Sequence, residues 1–279
     1  MRWIPGNRSN NIEDRRGMSI GRGVGIGGTL IALVLSLIFG TDIFTPTTEN
    51  SGEVAPSANS APVSSSPREE KLVDFVSFVL DSAQSTWSRI LPQQGGARYR
   101  DAKLVLFRDA VESACGYAET VTGPFYCPND EKVYVDLGFF DELSRRFGAP
   151  GDFAEAYVLA HELGHHVQKL LGIEGQVRSA MERGGARANK LSVALELQAD
   201  CFAGVFGHEA QQENLLDPGD VEEGLRAAAA VGDDRIQKMT TGRVSPESFT
   251  HGSSAQRAAW FKRGFASGRL DDCDTFGRG

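Results

Sequence analysis

Ala156-Tyr157-Val158-Leu159-Ala160-His161-Glu162-Leu163-Gly164-His165-His166-Val167-Gln168-Lys169-Leu170-Leu171 sets two histidines four residues apart inside a run that is apolar on both flanks. On a helix, that spacing puts both imidazoles on one face, where they can reach a single zinc ion while Glu162 points at its open side. Two surface histidines on an amphipathic helix would have polar residues around them, and these do not. The stretch therefore predicts a buried metal-binding helix of the HExxH kind.

A catalytic zinc site takes three protein ligands and leaves one position open, and two His with one Glu is a known form of it. The third ligand must come from elsewhere in the chain. Glu196 is the expected one, because Asp200, four residues on in Leu195-Glu196-Leu197-Gln198-Ala199-Asp200, shares its helix face and can accept a hydrogen bond from a ligating imidazole. His166 is turned by about 100° from His165 and should leave the metal face for a supporting or packed position. Cys201 lies about 140° round the helix from Glu196, which argues for a buried thiol or a disulfide and against a thiolate ligand. The extended metzincin pattern is excluded, because its glycine and third histidine positions hold Gln168 and Leu171.

The chain resembles the neutral zinc metallopeptidases of bacterial membranes, the YpfJ-like proteins. The matching stretches are Gly123-Pro124-Phe125-Tyr126-Cys127-Pro128, Phe147-Gly148-Ala149-Pro150-Gly151-Asp152-Phe153, the His161 pentad with His166-Val167-Gln168, Leu195 to Gly204, and Thr250-His251-Gly252-Ser253-Ser254-Ala255-Gln256-Arg257. The resemblance implies a zincin-like fold, peptidase activity on a peptide or protein substrate, and attachment to the bacterial cytoplasmic membrane. The Glu-x-x-x-Asp element is similar to that of gluzincins.

Length and composition agree with one catalytic domain on an anchor. Residues 23–41 are uncharged and long enough to cross a bilayer, which predicts a single transmembrane helix behind a basic tail over 1–22. Arg2, Arg8, Arg15, Arg16 and Arg22 against Glu13 and Asp14 place the N-terminus in the cytoplasm and the rest outside by the positive-inside rule. Within that run, residues 23–28 satisfy GxGxxG, but without the βαβ context of a dinucleotide site they suggest helix packing in lipid. Residues 42–67, rich in Ser, Thr, Pro and Ala, read as a flexible linker, leaving 68–279 as the metallopeptidase domain. The whole chain carries −8; residues 1–41 contribute +3, so the remainder is at −11, which argues against a nucleic-acid partner.

Four cysteines in a segment expected outside the cytoplasm read as two disulfides, for which the sequence allows three pairings. A short loop through Gly116 and Gly123-Pro124 favours Cys115 with Cys127, leaving Cys201 with Cys273. Leu72, Phe75, Val76, Val79, Leu80, Ala83 and Trp87 repeat at helical spacing and predict a helix ending before Pro92. Residues 103–107 and 132–136 read as strands, followed by a short helix near 139–147; the resemblance suggests 132–136 as an edge strand that pairs with substrate backbone. Asp152 is expected to cap the metal helix, which runs to Leu171 with Gly172 beyond its end, and further helices are expected near 188–211, 218–240 and 253–267. The fold class is α+β and mainly helical.

The expected reaction is peptide hydrolysis at one zinc per chain, with His161, His165 and Glu196 as ligands, Glu162 as general base and Asp200 in support. His251, in a turn opening a helix, is a candidate donor to the transition state, balanced against an ordinary helix-terminal role. His208 reads as a surface residue. The competing class is a membrane-anchored binding protein that uses zinc only for stability; a carboxylate beside an open position argues against it.

Overall fold

Ser66 opens the first helix. In the computed structural model, which describes residues 1–6, 8–18, 63–182, 184 and 187–277, its hydroxyl accepts from the Glu69 amide at 3.2 Å and Pro67 takes the first helical position. Helix α1, Pro67–Ile90, buries Phe75, Val76, Val79, Leu80, Ala83 and Trp87, the stripe expected from the sequence.

Among the described residues there are six short strands. They are β1 (Ile12–Asp14), β2 (Lys103–Phe107), β3 (Ala110–Ser113), β4 (Gly116–Glu119), β5 (Phe125–Cys127) and β6 (Lys132–Asp136). A four-stranded sheet has the order β1-β2-β6-β5, with β1, β2 and β6 parallel and β5 antiparallel to β6. β2 is buried on both faces, which is why it reads as a continuous apolar run. Leu104, Leu106, Val133 and Val135 join the helical core, while Val105, Phe107 and Tyr134 pack with Val111 and Ala118 of the β3–β4 hairpin. Cys115, in the turn of that hairpin, is bonded to Cys127 at the end of β5.

This order corrects the edge-strand expectation. Residues 132–136 lie between β2 and β5, with backbone pairing on both sides, so among the described residues the edge strand beside the metal helix is β5.

The remaining α-helices among the described residues are α2 (Gly138–Arg145), α3 (Asp152–Leu170), α4 (Ile173–Met181), α5 (Arg187–Gln212), α6 (Asp220–Ala230), α7 (Asp233–Thr241) and α8 (Ser254–Ser267). Together with the sheet they make a mainly helical α+β fold. Gly151 stands at the cap of α3; Asp152 is its first residue, and its carboxylate faces the Met1 ammonium at 2.7 Å instead of capping. The helix expected over 218–240 breaks at Gly232, because the chain must turn for Asp233 to meet residues 250–252.

Glycines set two of the close approaches to α5. A Cβ on Gly164, inside the HExxH pentad, would stand 3.0 Å from the Ala199 carbonyl oxygen, so α3 and α5 meet through it. Gly264 on α8 lies against the Cys201 backbone of α5 so closely that a Cβ would fall 1.9 Å from its carbonyl oxygen. Cys201 is in turn bonded to Cys273, tying the C-terminal turn Asp271–Cys273 to α5.

Residues 1–18 do not form a separate tail. β1 completes the sheet, the Trp3 ring sits 5.4 Å from Phe75, and the buried Arg16 side chain pairs with Asp14, Glu69 and Glu70. Arg2, Arg8 and Arg15 are also ion-paired, to Asp217, to Glu70 and Asp74, and to Glu13. Four of the arginines that suggested a cytoplasmic tail therefore serve the fold.

Arg16 and Ser65 both hydrogen-bond Glu70, so the two flanks of residues 19–62 meet on one folded body. The apolar run 23–41, its GxGxxG and most of the linker lie outside the described residues. Among the described residues no helix is long and apolar enough to cross a membrane.

Candidate metal centre

α3 carries His161 and His165 one turn apart, and its packing on α5 through Gly164 and Ala199 brings Glu196 to them. His161 Nε2 lies 3.2 Å from Glu196 Oε2, and His165 Nε2 lies 3.5 Å from Glu196 Oε1. Ligand atoms about 2.0–2.1 Å from a tetrahedral zinc stand roughly 3.3 Å from one another. The observed separations fit that requirement. The ligand atoms of the three residues all lie within 4.8 Å of one another.

The Nδ1 atoms are engaged on the far side of each ring. His161 Nδ1 donates to Asp200 Oδ1 at 2.9 Å, and His165 Nδ1 faces Gln168 Oε1 at 2.9 Å. Both rings therefore offer Nε2 to the centre, the arrangement that carboxylate and amide partners impose on ligating histidines. The residues present fit one zinc ion.

Asp200 is fully buried, yet both of its carboxylate oxygens accept hydrogen bonds. It accepts from Tyr157 Oη, from His161, and from Arg257 Nε at 2.8 Å and Nη2 at 2.9 Å. Burial alone would raise its pKa, but Arg257 and His161 outweigh burial and hold it below the ordinary carboxylate value. Glu196 behaves likewise: burial opposes its charge, and His165 and His161 hold it ionised. For His161 in the metal-free protein, burial disfavours the imidazolium, but Asp200 and Glu196 raise its pKa to about 10. Metal binding must therefore expel a proton from this ring.

Glu162 differs from both. It is 8 % exposed, among the described residues no group hydrogen-bonds its carboxylate, and burial raises its pKa despite the two nearby imidazoles. A carboxylate with raised proton affinity next to a three-donor site is suited to taking a proton from water.

The other histidines separate clearly. His166 is fully buried; its Nε2 donates to the Arg100 carbonyl at 2.6 Å, and Tyr126 Oη of β5 donates to Nδ1 at 2.9 Å, which ties the metal helix to the edge strand. His208 is half-buried rather than a surface residue, with Nδ1 donating to the Phe265 carbonyl at 2.8 Å. His251 lies outside the three-donor set, but its turn packs on α5: a Cβ on Gly252 would stand 3.2 Å from Leu197, the residue after Glu196. Asp233 holds that turn, accepting the amides of Thr250, His251 and Gly252 on one oxygen and His251 Nδ1 at 3.1 Å on the other. Burial opposes charge on His251, while Asp233 and Glu196 raise its pKa.

A second carboxylate group, Asp152, Asp220 and Glu223, lies elsewhere, and the Met1 ammonium contacts both aspartates. Sequence reasoning gave no role to Tyr157, Gln168 or Arg257. Tyr157 precedes His161 by four residues and Gln168 follows His165 by three, so their shared helix face was the available signal. Arg257 arrives from α8, and no local spacing points to it.

A family described as "Putative neutral zinc metallopeptidase" matches residues 1–276 of the chain. The uncharacterized protein YpfJ of Escherichia coli strain K12 is 46 % identical over 290 residues, covering 100 % of this chain and 99 % of that one. An uncharacterized protein of Mycobacterium tuberculosis strain H37Rv is 45 % identical over 207 residues, covering 70 % of this chain and 68 % of its own length. No solved structure matches the chain.

Proposed function

Because the chain belongs to this family of zinc metallopeptidases, we propose that it hydrolyses peptide bonds at a single zinc held by His161, His165 and Glu196, with Glu162 as general base. The observation that carries the reading is the contrast between two neighbouring carboxylates: Glu196 is held ionised by the imidazoles, while Glu162 has no hydrogen-bonding partner among the described residues and a raised pKa. A site serving stability alone has no use for the second.

Zinc held by His161, His165 and Glu196 would supply Lewis acidity to the scissile carbonyl and to water. Glu162 takes the proton of the attacking water and returns it to the leaving nitrogen. His251, oriented by Asp233, donates to the developing oxyanion. The outer edge of β5, unpaired among the described residues, offers backbone groups to an extended peptide, and the Tyr126–His166 hydrogen bond ties β5 to the metal helix. The apolar run 23–41 supports attachment to a membrane, with both its flanks on the side where the two disulfides form.

Glu162→Gln is the direct test. The variant should keep about one zinc per chain, read by elemental analysis, and lose peptide hydrolysis. Retained hydrolysis would remove the mechanism, and a wild-type protein that binds zinc but cleaves no peptide would favour a purely stabilising metal.

A further inference from the structure

His165 is supported from behind by two glutamines whose orientation is fixed by backbone carbonyls. Gln198 Nε2 donates to the Cys273 carbonyl at 3.0 Å, and Gln168 Nε2 donates to the Leu195 carbonyl at 2.7 Å and to Gln198 Oε1 at 3.2 Å. A carbonyl oxygen only accepts, so each glutamine must turn its amide nitrogen toward it. Gln198 is left presenting its oxygen to Gln168, and Gln168 its oxygen to His165. Two independent carbonyls thus impose the same direction on the chain of hydrogen bonds.

The consequence falls on the imidazole. An acceptor 2.9 Å from Nδ1 requires a proton there, which in the neutral ring leaves the Nε2 lone pair facing Glu196 Oε1. Gln168 is fully buried and Gln198 is 5 % exposed, so water does not compete for these groups and an unmade bond is expensive. His161 is held by an anion, Asp200; His165 is held by a chain of neutral dipoles.

The far end of that chain is covalently pinned. Cys273 closes the turn Asp271–Cys273 and is bonded to Cys201 on α5, the helix that also supplies Glu196 and Gln198. We propose that Gln168 and Gln198 are positioning residues that fix the tautomer and ring orientation of His165, and that the Cys201–Cys273 disulfide anchors them, so that zinc affinity depends on that disulfide. This inference rests on the zinc reading above.

The test uses the full chain and reads zinc affinity by competition with a chromogenic chelator, the visible spectrum after cobalt(II) substitution, and thermal unfolding of the metal-free protein. Gln168→Met should weaken zinc binding about 10- to 100-fold, the size expected for loss of a ligand's outer partner, and should alter the cobalt bands. Gln198→Met, which leaves Gln168 its bond to Leu195, should weaken it less. Cys201→Ser/Cys273→Ser should also weaken it, and Gln198→Met added to that pair should cost less than it does alone, as members of one network do. If both glutamine variants lower only the metal-free melting temperature and keep wild-type zinc affinity and cobalt bands, the inference is overturned and the glutamines are packing groups. If the wild-type protein takes up no zinc at all, the metal reading itself fails and takes this inference with it.

Discussion

Arg257 and Asp200 form a bidentate ion pair in the interior, Nε to Oδ2 at 2.8 Å and Nη2 to Oδ1 at 2.9 Å, with Asp200 fully buried and the Arg257 side chain 5 % exposed. The pair joins α8 to α5 directly behind His161, and Tyr157 Oη and His161 Nδ1 share the same carboxylate oxygen. Removing one partner of such a pair strands a buried charge, which costs on the order of 3–5 kcal/mol. Arg257→Met should therefore lower the unfolding free energy of the metal-free protein by that order, whereas Arg257→Lys, which keeps the charge but loses the planar fork, should cost less. Denaturant unfolding of the three proteins decides; a wild-type midpoint in Arg257→Met would mean that Asp200 is held without it.

Much of this site is legible in the sequence. The i, i+4 rule set His161 beside His165, and the same rule on a second helix paired Glu196 with Asp200. Strands 103–107 and 132–136 and the disulfide pairs were likewise visible as apolar runs and loop closures. What local spacing cannot reveal is contact between distant segments. Arg257 reaches Asp200 across 57 positions, and β1 pairs with β2 across some ninety, so neither leaves a periodic trace. The arginines at 8, 15 and 16 show the same limit: a positive N-terminal stretch reads the same in sequence whether or not its charges are paired with Glu13, Asp14, Glu69 and Glu70.

The metal-free protein should lose stability as the solution becomes alkaline. Asp200 and Glu196 raise the folded-state pKa of His161 from 6.5 to about 10, so its contribution is fully present below pH 6.5 and is lost as pH climbs to 10. His165 and His251, whose pKa values are also raised, add to the same trend. The slope approaches about 1.4 kcal/mol per pH unit for each such proton. Melting curves at pH 7, 8 and 9 should show a falling midpoint that flattens in His161→Gln. Saturating zinc should flatten it as well, because the ring is then already deprotonated. A midpoint that holds constant or rises across that range without metal would contradict the assigned charges.

Both flanks of residues 19–62 should be reachable from one face of the membrane. Asn10 and Gln211 are exposed positions on the same folded body, the first in the N-terminal segment and the second near the end of α5. Cysteines introduced there, one at a time, should react together with a membrane-impermeant maleimide in intact spheroplasts, or stay unreactive together. Labelling of one position without the other would show a single crossing and exclude the β1–β2 pairing in the cell.

His251 and Asp233 should separate by what their loss does. Asp233 holds three backbone amides as well as His251 Nδ1, so Asp233→Asn puts a second donor where the loop needs only acceptors and should reduce both stability and rate. His251→Ala leaves those amides satisfied. It should fold normally, keep its zinc, and lower kcat and kcat/KM together by roughly 10² to 10³, the cost of losing one donor to a developing oxyanion. Because Asp233 and Glu196 raise the pKa of His251, the charged donor should persist above the pH at which an ordinary histidine is neutral, and the alkaline limb of the rate profile should sit correspondingly high. An undiminished rate in His251→Ala would leave the residue as the tip of a structural turn, and loss of zinc would make it a ligand in place of a donor.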